Sequence, residues 1–166
     1  MAHPTYETKD IEEIAVSHRL PEGFKDKAAF YAVKIMRSSF DLVSGYNEKR
    51  MSPAAWINRC VFLETVAGVP GMVGGMTLHL KSLVTMKEDS GVINHLLEEA
   101  ENERNHLFIF LKYKQPGILF RISVALSQAV FWNVYLAAYL MSPKFCHRFV
   151  GYLEEEAVHT YSMFLK

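Results

Sequence analysis

Between Gly117 and Ser142 runs a stretch of 24 residues, Ile118 to Met141, with a single charge, Arg121. It is too long for an ordinary strand, and as an α-helix it spans roughly 36 Å, enough to cross a bilayer. Ser123, Ser127, Gln128 and Asn133 interrupt it, and on a helical wheel they do not gather with Arg121 on one face. Three environments satisfy such a segment: a span through lipid, the centre of a soluble bundle, or one side in a bundle with the other against lipid. The third explains the scattered polar residues best. Ala28–Val43 is similarly apolar, with Lys34, Arg37 and Asp41 spaced along it, so two such helices can form one membrane-facing surface.

Glycine and proline cut the rest into segments of helical length. Residues 1–24, with Pro4, Pro21 and Gly23, read as an extended arm, and residues 25–166 as one helical domain. Asp26 to Val43 is predicted helical, ending near Gly45. Ser52-Pro53 is a helix start, because Ser caps free N–H groups and Pro fits the first turn. That helix is expected to reach about Met86, bent near Pro70, whose ring removes a backbone bond. Ser90 is the expected cap of a helix through about Tyr113, which Gln115-Pro116-Gly117 stops, and Ser142-Pro143 opens a last helix reaching the C-terminus. No segment has strand periodicity. The expected class is all-α, a bundle.

Composition narrows the function classes. The 166 residues suit one domain, and 50% hydrophobic content excludes a disordered chain. With 18 basic and 18 acidic residues, the chain lacks the basic excess of a nucleic-acid binder. Cys60 and Cys146 make no disulfide framework and match no zinc spacing. Met1 to Lys25 shows no secretory or transit pattern.

Carboxylate-bridged di-iron bundles take two single glutamates and two Glu-x-x-His pairs from four helices. Residues i and i+3 share a helix face, so Glu and His reach one ion. Two such pairs occur here, Glu103-Arg-Asn-His106 and Glu156-Ala-Val-His159. On a wheel centred on Glu103, Val92, Leu96, Ala100, Leu107, Phe110 and Leu111 share its side, whereas Glu98, Glu101 and Arg104 point elsewhere. A solvated face with an i,i+3 ion pair is the competing reading, but an unpaired carboxylate on an apolar stripe is costly.

The second pair is less direct. Cys146, Val150, Leu153, Ala157, Val158, Tyr161, Phe164 and Leu165 favour Glu154 as the inward carboxylate, with Tyr161 two turns further along that face. Glu156 and His159 fall beside a smaller stripe of Phe145, Phe149, Tyr152 and Met163 and remain an alternative ligand pair. A further carboxylate, Glu64, shares its face with Ile57, Cys60, Ala67, Gly68, Gly71 and Gly75, small residues that let a neighbouring helix approach. A glycine-lined packing seam with Glu64 at its edge is the competing reading. Met72, Met76 and Met86 are expected to fill core gaps. His79 and His95 are expected at the surface or hydrogen-bonded in the core, and Glu98, Glu101 and Glu155 on solvated faces.

Phe62-Leu63-Glu64-Thr65, then Leu97-Glu98-Glu99-Ala100-Glu101-Asn102-Glu103-Arg104-Asn105-His106-Leu107, then Leu153-Glu154-Glu155-Glu156-Ala157-Val158-His159-Thr160-Tyr161 occur in order. They resemble the signature blocks of the alternative oxidases, the cyanide-insensitive quinol oxidases of mitochondria, and Glu64 to Met76 looks particularly like the trypanosome members. The resemblance runs from about His3 to Lys166. It implies a ferritin-like di-iron four-helix bundle with additional membrane-surface helices. It also implies a monotopic homodimer on the matrix side of the mitochondrial inner membrane, oxidising ubiquinol and reducing O2 to water without pumping protons. By the family pattern, Glu64, Glu103, His106 and Glu154 surround two irons per subunit. Tyr161 matches the tyrosine that supplies an electron and a proton. Arg59, Leu63, Ala157 and Thr160 match the quinol pocket, with Arg37 and Asp41 as further candidates. Helices 26–43 and 118–141 match the membrane-binding pair and part of the dimer surface.

Asn105 stands where the family block usually has Met. The family's second Glu-x-x-His lies on one more helix beyond the third block, so the expected bundle is C-terminally truncated, its last helix missing. The presequence and any cysteine before Cys60 are missing too. Four readings follow: a quinol oxidase; a truncated, inactive product whose site needs His159 or a partner chain; a ferritin-like iron-binding bundle without a quinol substrate; and a structural membrane-surface protein with solvated glutamates.

Overall fold

The computed structural model describes residues 18–47 and 50–164, and among the described residues there are six α-helices and no strand. The helices are α1 (Gly23–Ser44), α2 (Pro53–Ala67), α3 (Val69–Thr85), α4 (Val92–Leu111), α5 (Ile118–Met141) and α6 (Pro143–Phe164). Of the expected arm, residues 1–17 lie outside the described residues, and α1 already begins at Gly23. The expected end of the last helix, with Leu165, also lies outside them.

The punctuation signals act largely as expected. Ser52 Oγ accepts the Ala55 N–H at 3.2 Å, with Pro53 opening α2. Gly45, at φ 63°, closes α1 in the left-handed conformation that glycine adopts without a Cβ penalty. The expected single helix through Pro70 is instead two: α2 ends at Ala67, and Pro70 sits in the first turn of α3, where a missing N–H leaves no helix bond unmade. Ser90 does not cap α4. It adopts φ 57°, and Asp89 takes the role by accepting the Ile93 N–H at 2.6 Å.

The core lies where α1, α3, α5 and α6 meet: Ala29, Val33, Val69, Val73, Tyr135, Tyr139, Cys146, Phe149 and Tyr152 are buried together. On α6 both stripes are partly buried: Cys146 of the expected inward face and Phe149 and Tyr152 of the smaller stripe share the core, α1 packs on α6, and Glu154 and Val158 are exposed. Asp26 pins the two helices. Its carboxylate accepts the Glu22 N–H at 2.8 Å and bonds Arg148 and the Tyr152 hydroxyl. Arg148 is the main reason its carboxyl is held down at about 2.

On α3, Gly71 fits α4 so closely that a Cβ there would lie 2.5 Å from the Leu96 carbonyl oxygen. The methionines of this region do not fill the core: Met72, Met76 and Met86 are exposed, because the glycine face and not the methionine face turns toward α4.

Two stretches, Pro53–Thr85 and Ile118–Met141, are long and apolar enough to cross a membrane by length and composition. They differ in cover: 44% of the first window is buried but only 11% of the second. Along α5, Ile118, Leu119, Ile122, Leu126, Val130, Val134 and Leu140 are exposed, while Tyr135 and Tyr139 face the core. The polar interruptions satisfy themselves locally. Ser123 and Asn133 donate to carbonyls of their own helix, and Gln128 donates to the Thr65 carbonyl at 2.6 Å. They need no common polar face.

Candidate metal centre

Glu64 on α2 and Glu103 on α4 are buried where these helices pack, and His106 stands half-buried one turn beyond Glu103. A donor atom from each of the three lies within 4.8 Å of the others. His106 Nδ1 is 3.6 Å from Glu64 Oε2 and 3.9 Å from Glu103 Oε2, too far for good hydrogen bonds. Glu64 Oε2 is buried with no hydrogen-bond partner. A buried carboxylate oxygen left unpaired beside a second carboxylate and an imidazole is costly in itself and becomes favourable around a cation.

The electrostatics agree. Burial, then Glu103 and Glu154, push the Glu64 carboxyl up to about 9. Glu154 on α6 is pushed up to about 7 by loss of water and by Glu103 and Glu99. Contrary to the expected inward position, Glu154 is exposed, and it is not among the three side chains whose donor atoms come within 4.8 Å of one another; protein on its other side still makes desolvation the leading cause of the shift. Glu99 is raised too, by burial and by Glu103, against an opposing pull from His95. These shifts describe several negative charges crowded without a counter-ion, which a bound cation would reverse. Glu99 was not singled out from the sequence. Its position four residues before Glu103 places it on the same helix face, which is the signal that finds it.

Glu156 belongs elsewhere. It bonds Lys34 and, at 2.8 Å, Arg37 Nη1, both on α1. His159 is exposed and lines a cavity of about 410 Å³ with His18, Phe30, Lys34 and Tyr152. This pair is not gathered with Glu64, Glu103 and His106. Glu155, expected on a solvated face, is half-buried and paired with His18 at 2.6 Å. The other expected surface groups, His79, His95, Glu98 and Glu101, are exposed.

Arg37, Asp41, Arg59 and Thr160 form one network across α1, α2 and α6. Arg37 reaches the Thr160 hydroxyl at 3.0 Å and Asp41 at 3.4 Å. Asp41 also bonds Arg59, whose guanidinium lies 4.6 Å from the Phe40 ring centre and 4.3 Å from that of Tyr46. Arg59 Nε is buried without a hydrogen-bond partner. Arg59 precedes Glu64 by five residues on α2, an axial rise of roughly 7.5 Å. Leu63 and Ala157 are half-buried beside these groups in sequence, and Tyr161 stacks on Phe110 with ring centres 6.1 Å apart. The sequence offered no signal for the Lys34 and Arg37 pairing to Glu156, because the partners are more than 100 residues apart.

The family model described as alternative oxidase matches residues 6–166. Among curated relatives, the mitochondrial alternative oxidase of Trypanosoma brucei brucei is 52% identical over 159 residues, covering 96% of this chain and 48% of its own length. The one from Aspergillus niger is 48% identical, covering 99% and 50%. That of Yarrowia lipolytica is 44% identical, covering 99% and 49%. The chain thus spans about half the length of the curated relatives it matches.

Proposed function

Because the chain belongs to the alternative oxidase family, we propose that it carries the chemistry of a non-electrogenic ubiquinol oxidase, which oxidises ubiquinol and reduces O2 to water. The observation that carries this reading is that α2 contributes to two sets of groups, Glu64 to one and Arg59 to the other. One is the carboxylate and imidazole cluster around Glu64. The other is the fixed Arg37, Asp41, Arg59 and Thr160 network.

Glu64, Glu103, His106 and Glu154 would hold iron, two ions per subunit as the family resemblance implies; the orphaned Glu64 oxygen and the raised carboxyls suit that cargo. Bound iron supplies one-electron redox chemistry that these side chains lack. The chain's own residues do the rest. Glu64 holds a proton in the metal-free site at neutral pH and releases it to make room for a cation. Arg59, fixed between Phe40 and Tyr46, has an unpaired Nε–H, which we assign to a ubiquinol ring oxygen. We assign the Thr160 hydroxyl, held by Arg37, to the same substrate, with Leu63 and Ala157 as apolar neighbours, as the family resemblance implies. Tyr161 supplies an electron and its phenolic proton.

The exposed apolar faces of α5 and of α1, where Phe24, Tyr31, Ile35, Leu42 and Val43 are exposed, support a monotopic seat on a membrane. We assign it to mitochondria, as the relatives' names suggest, and there to the matrix side of the inner membrane, as the family resemblance implies. A homodimer is supported by an open groove of about 980 Å³ whose walls include Met72, Leu97, Leu107 and Trp132.

The test is anaerobic iron loading followed by ubiquinol and oxygen, with quinone formation and oxygen uptake read together. Two quinols consumed per oxygen, lost in Glu103→Ala and weakened in Arg59→Ala, is the expected result. Iron binding without ubiquinol turnover would instead favour an iron-binding bundle.

A further inference from the structure

Tyr139 is the largest fully buried side chain among the described residues, 1% exposed, and yet its hydroxyl is paired to a side chain and not to the backbone. It lies 3.2 Å from Nε2 of His147, whose ring meets it edge-on at 5.6 Å between centres. His147 sits at the surface. Tyr135, one turn earlier on α5, has its ring centre 6.2 Å from that of Tyr139 but donates its hydroxyl to the Cys146 carbonyl at 3.3 Å. The two phenols therefore differ in one chemical respect. A backbone carbonyl is too weak a base to keep a phenolic proton, whereas a neutral imidazole can accept one. Burial holds the His147 imidazole below its ordinary pKa, so it is neutral near pH 7, and raises the Tyr139 phenol, so simple ionisation is not its route.

The position suits a link to the candidate metal centre. Tyr139 packs at Gly74, where Leu96 of α4 also sits. Leu96 lies seven residues before Glu103 on the same helix, an axial rise of roughly 10 Å, so α4 connects the two places.

We propose that Tyr139 and His147 form a redox-active pair that carries oxidising equivalents from the carboxylate cluster to the protein surface. An electron leaves the Tyr139 ring for an oxidant of the high-potential transition-metal-ion class held at the cluster, which is reduced by one electron, and the phenolic proton passes to His147 Nε2. The products are a neutral phenoxyl radical and an imidazolium. A solvent reductant of the thiol or hydroquinone class then returns the electron, and the imidazolium returns the proton, restoring both side chains. The direction of flow rests on the oxygen-reducing reading above. The capacity of the pair to exchange an electron and a proton rests on its geometry alone.

The test uses the metal-free chain, oxidised by a flash from a ruthenium polypyridyl sensitiser with a cobalt(III) quencher, frozen and read by electron paramagnetic resonance. A long-lived neutral phenoxyl signal is expected. It should be lost in Tyr139→Phe and in His147→Gln, persist in Tyr135→Phe, and return when imidazole is added to His147→Gly. Tyr31 and Tyr113, both exposed, contribute short-lived background. A signal that survives Tyr139→Phe, or is indifferent to His147→Gln, overturns the proposal. Neither iron nor ubiquinol is present, so failure here is distinct from failure of the oxidase reading, which iron loading and turnover decide.

Discussion

Glu64 Oε2 lies 3.6 Å from His106 Nδ1 across the contact between α2 and α4, buried and without a hydrogen-bond donor. Two groups that meet at this distance without bonding leave space for an atom between them. If that atom is a metal ion, binding must expel the proton that Glu64 carries when the site is metal-free. Calorimetric titration with Fe(II) in buffers of differing ionisation enthalpy should report net proton release at pH 7. Glu64→Ala or Glu103→Ala should weaken binding by at least about 100-fold, since even outer-shell partners are worth 10–100-fold. Unchanged affinity in both variants would remove the metal centre.

The same carboxyl sets a pH dependence of stability. The Glu64 carboxyl is raised from 4.5 to about 9, so between those values the folded, metal-free chain holds a proton that the unfolded chain has released. Stability then falls as pH rises, with the contribution full below the unfolded value and gone above the folded one. Glu154 and Glu99 add the same sign. Asp26 has the opposite sign, but its pKa is lowered from 3.8 to about 2, so its contribution is lost only in strong acid. Thermal midpoints of the metal-free chain should decline from pH 5 to pH 9, and Glu64→Gln should flatten the slope. A parent chain that grows more stable over that range would contradict the burial of Glu64.

Packing of α3 on α4 gives a prediction free of chemistry. Gly71→Ala would gain helix propensity, but its new Cβ meets the Leu96 carbonyl oxygen, a backbone atom with no rotamer to escape into. Overpacking of this kind costs about 1–3 kcal/mol. A lowered urea midpoint with an unchanged slope is the expected reading, and a more stable variant would mean that the helices are further apart.

How much of this was legible in the sequence depends on whether a feature is local. The helices, the Ser52 cap and the Gly45 stop follow from short-range chemistry, and Glu103 with His106 from a single helix face. Ser90 failed as a cap because Asp89, one residue earlier, competes for the same N–H. The methionines failed because a wheel cannot tell which of two apolar faces of α3 meets a neighbour. On α6 the face with Phe149 and Tyr152 was undervalued because its cover, α1, is more than 100 residues away. Glu154 and Glu156 are two residues apart, so their opposite surroundings could be suspected from spacing, but Lys34 and Arg37 as partners of Glu156 could not.

Arg59 gives the sharpest test of the proposed ubiquinol pocket. Its guanidinium is stacked by Phe40 and Tyr46 while Asp41 and Ser44 take two of its nitrogens. Lysine keeps the charge but neither the plane nor the fork. Arg59→Lys should raise KM for ubiquinol by about tenfold, equivalent to about 1.4 kcal/mol, a size in keeping with a desolvated cation–π contact. kcat should change less. A fall in kcat at constant KM would move Arg59 from binding to chemistry.

Membrane seating rests on α5, and a single side chain can test it. Leu126 is 65% exposed and Val130 67% exposed on a face that no described residue covers. If that face lies in the acyl boundary of a bilayer, each side chain contributes about 1–2 kcal/mol to partitioning, and lysine there brings a charge to apolar surroundings as well. Val130→Lys should therefore lower co-flotation with phospholipid vesicles by about tenfold or more. Asn94→Lys, exposed on α4, serves as the charge-matched control and should leave flotation unchanged or raise it slightly with anionic lipid. A parent chain that stays in the aqueous fraction but self-associates would show that the uncovered α5 face is met by protein and not by lipid.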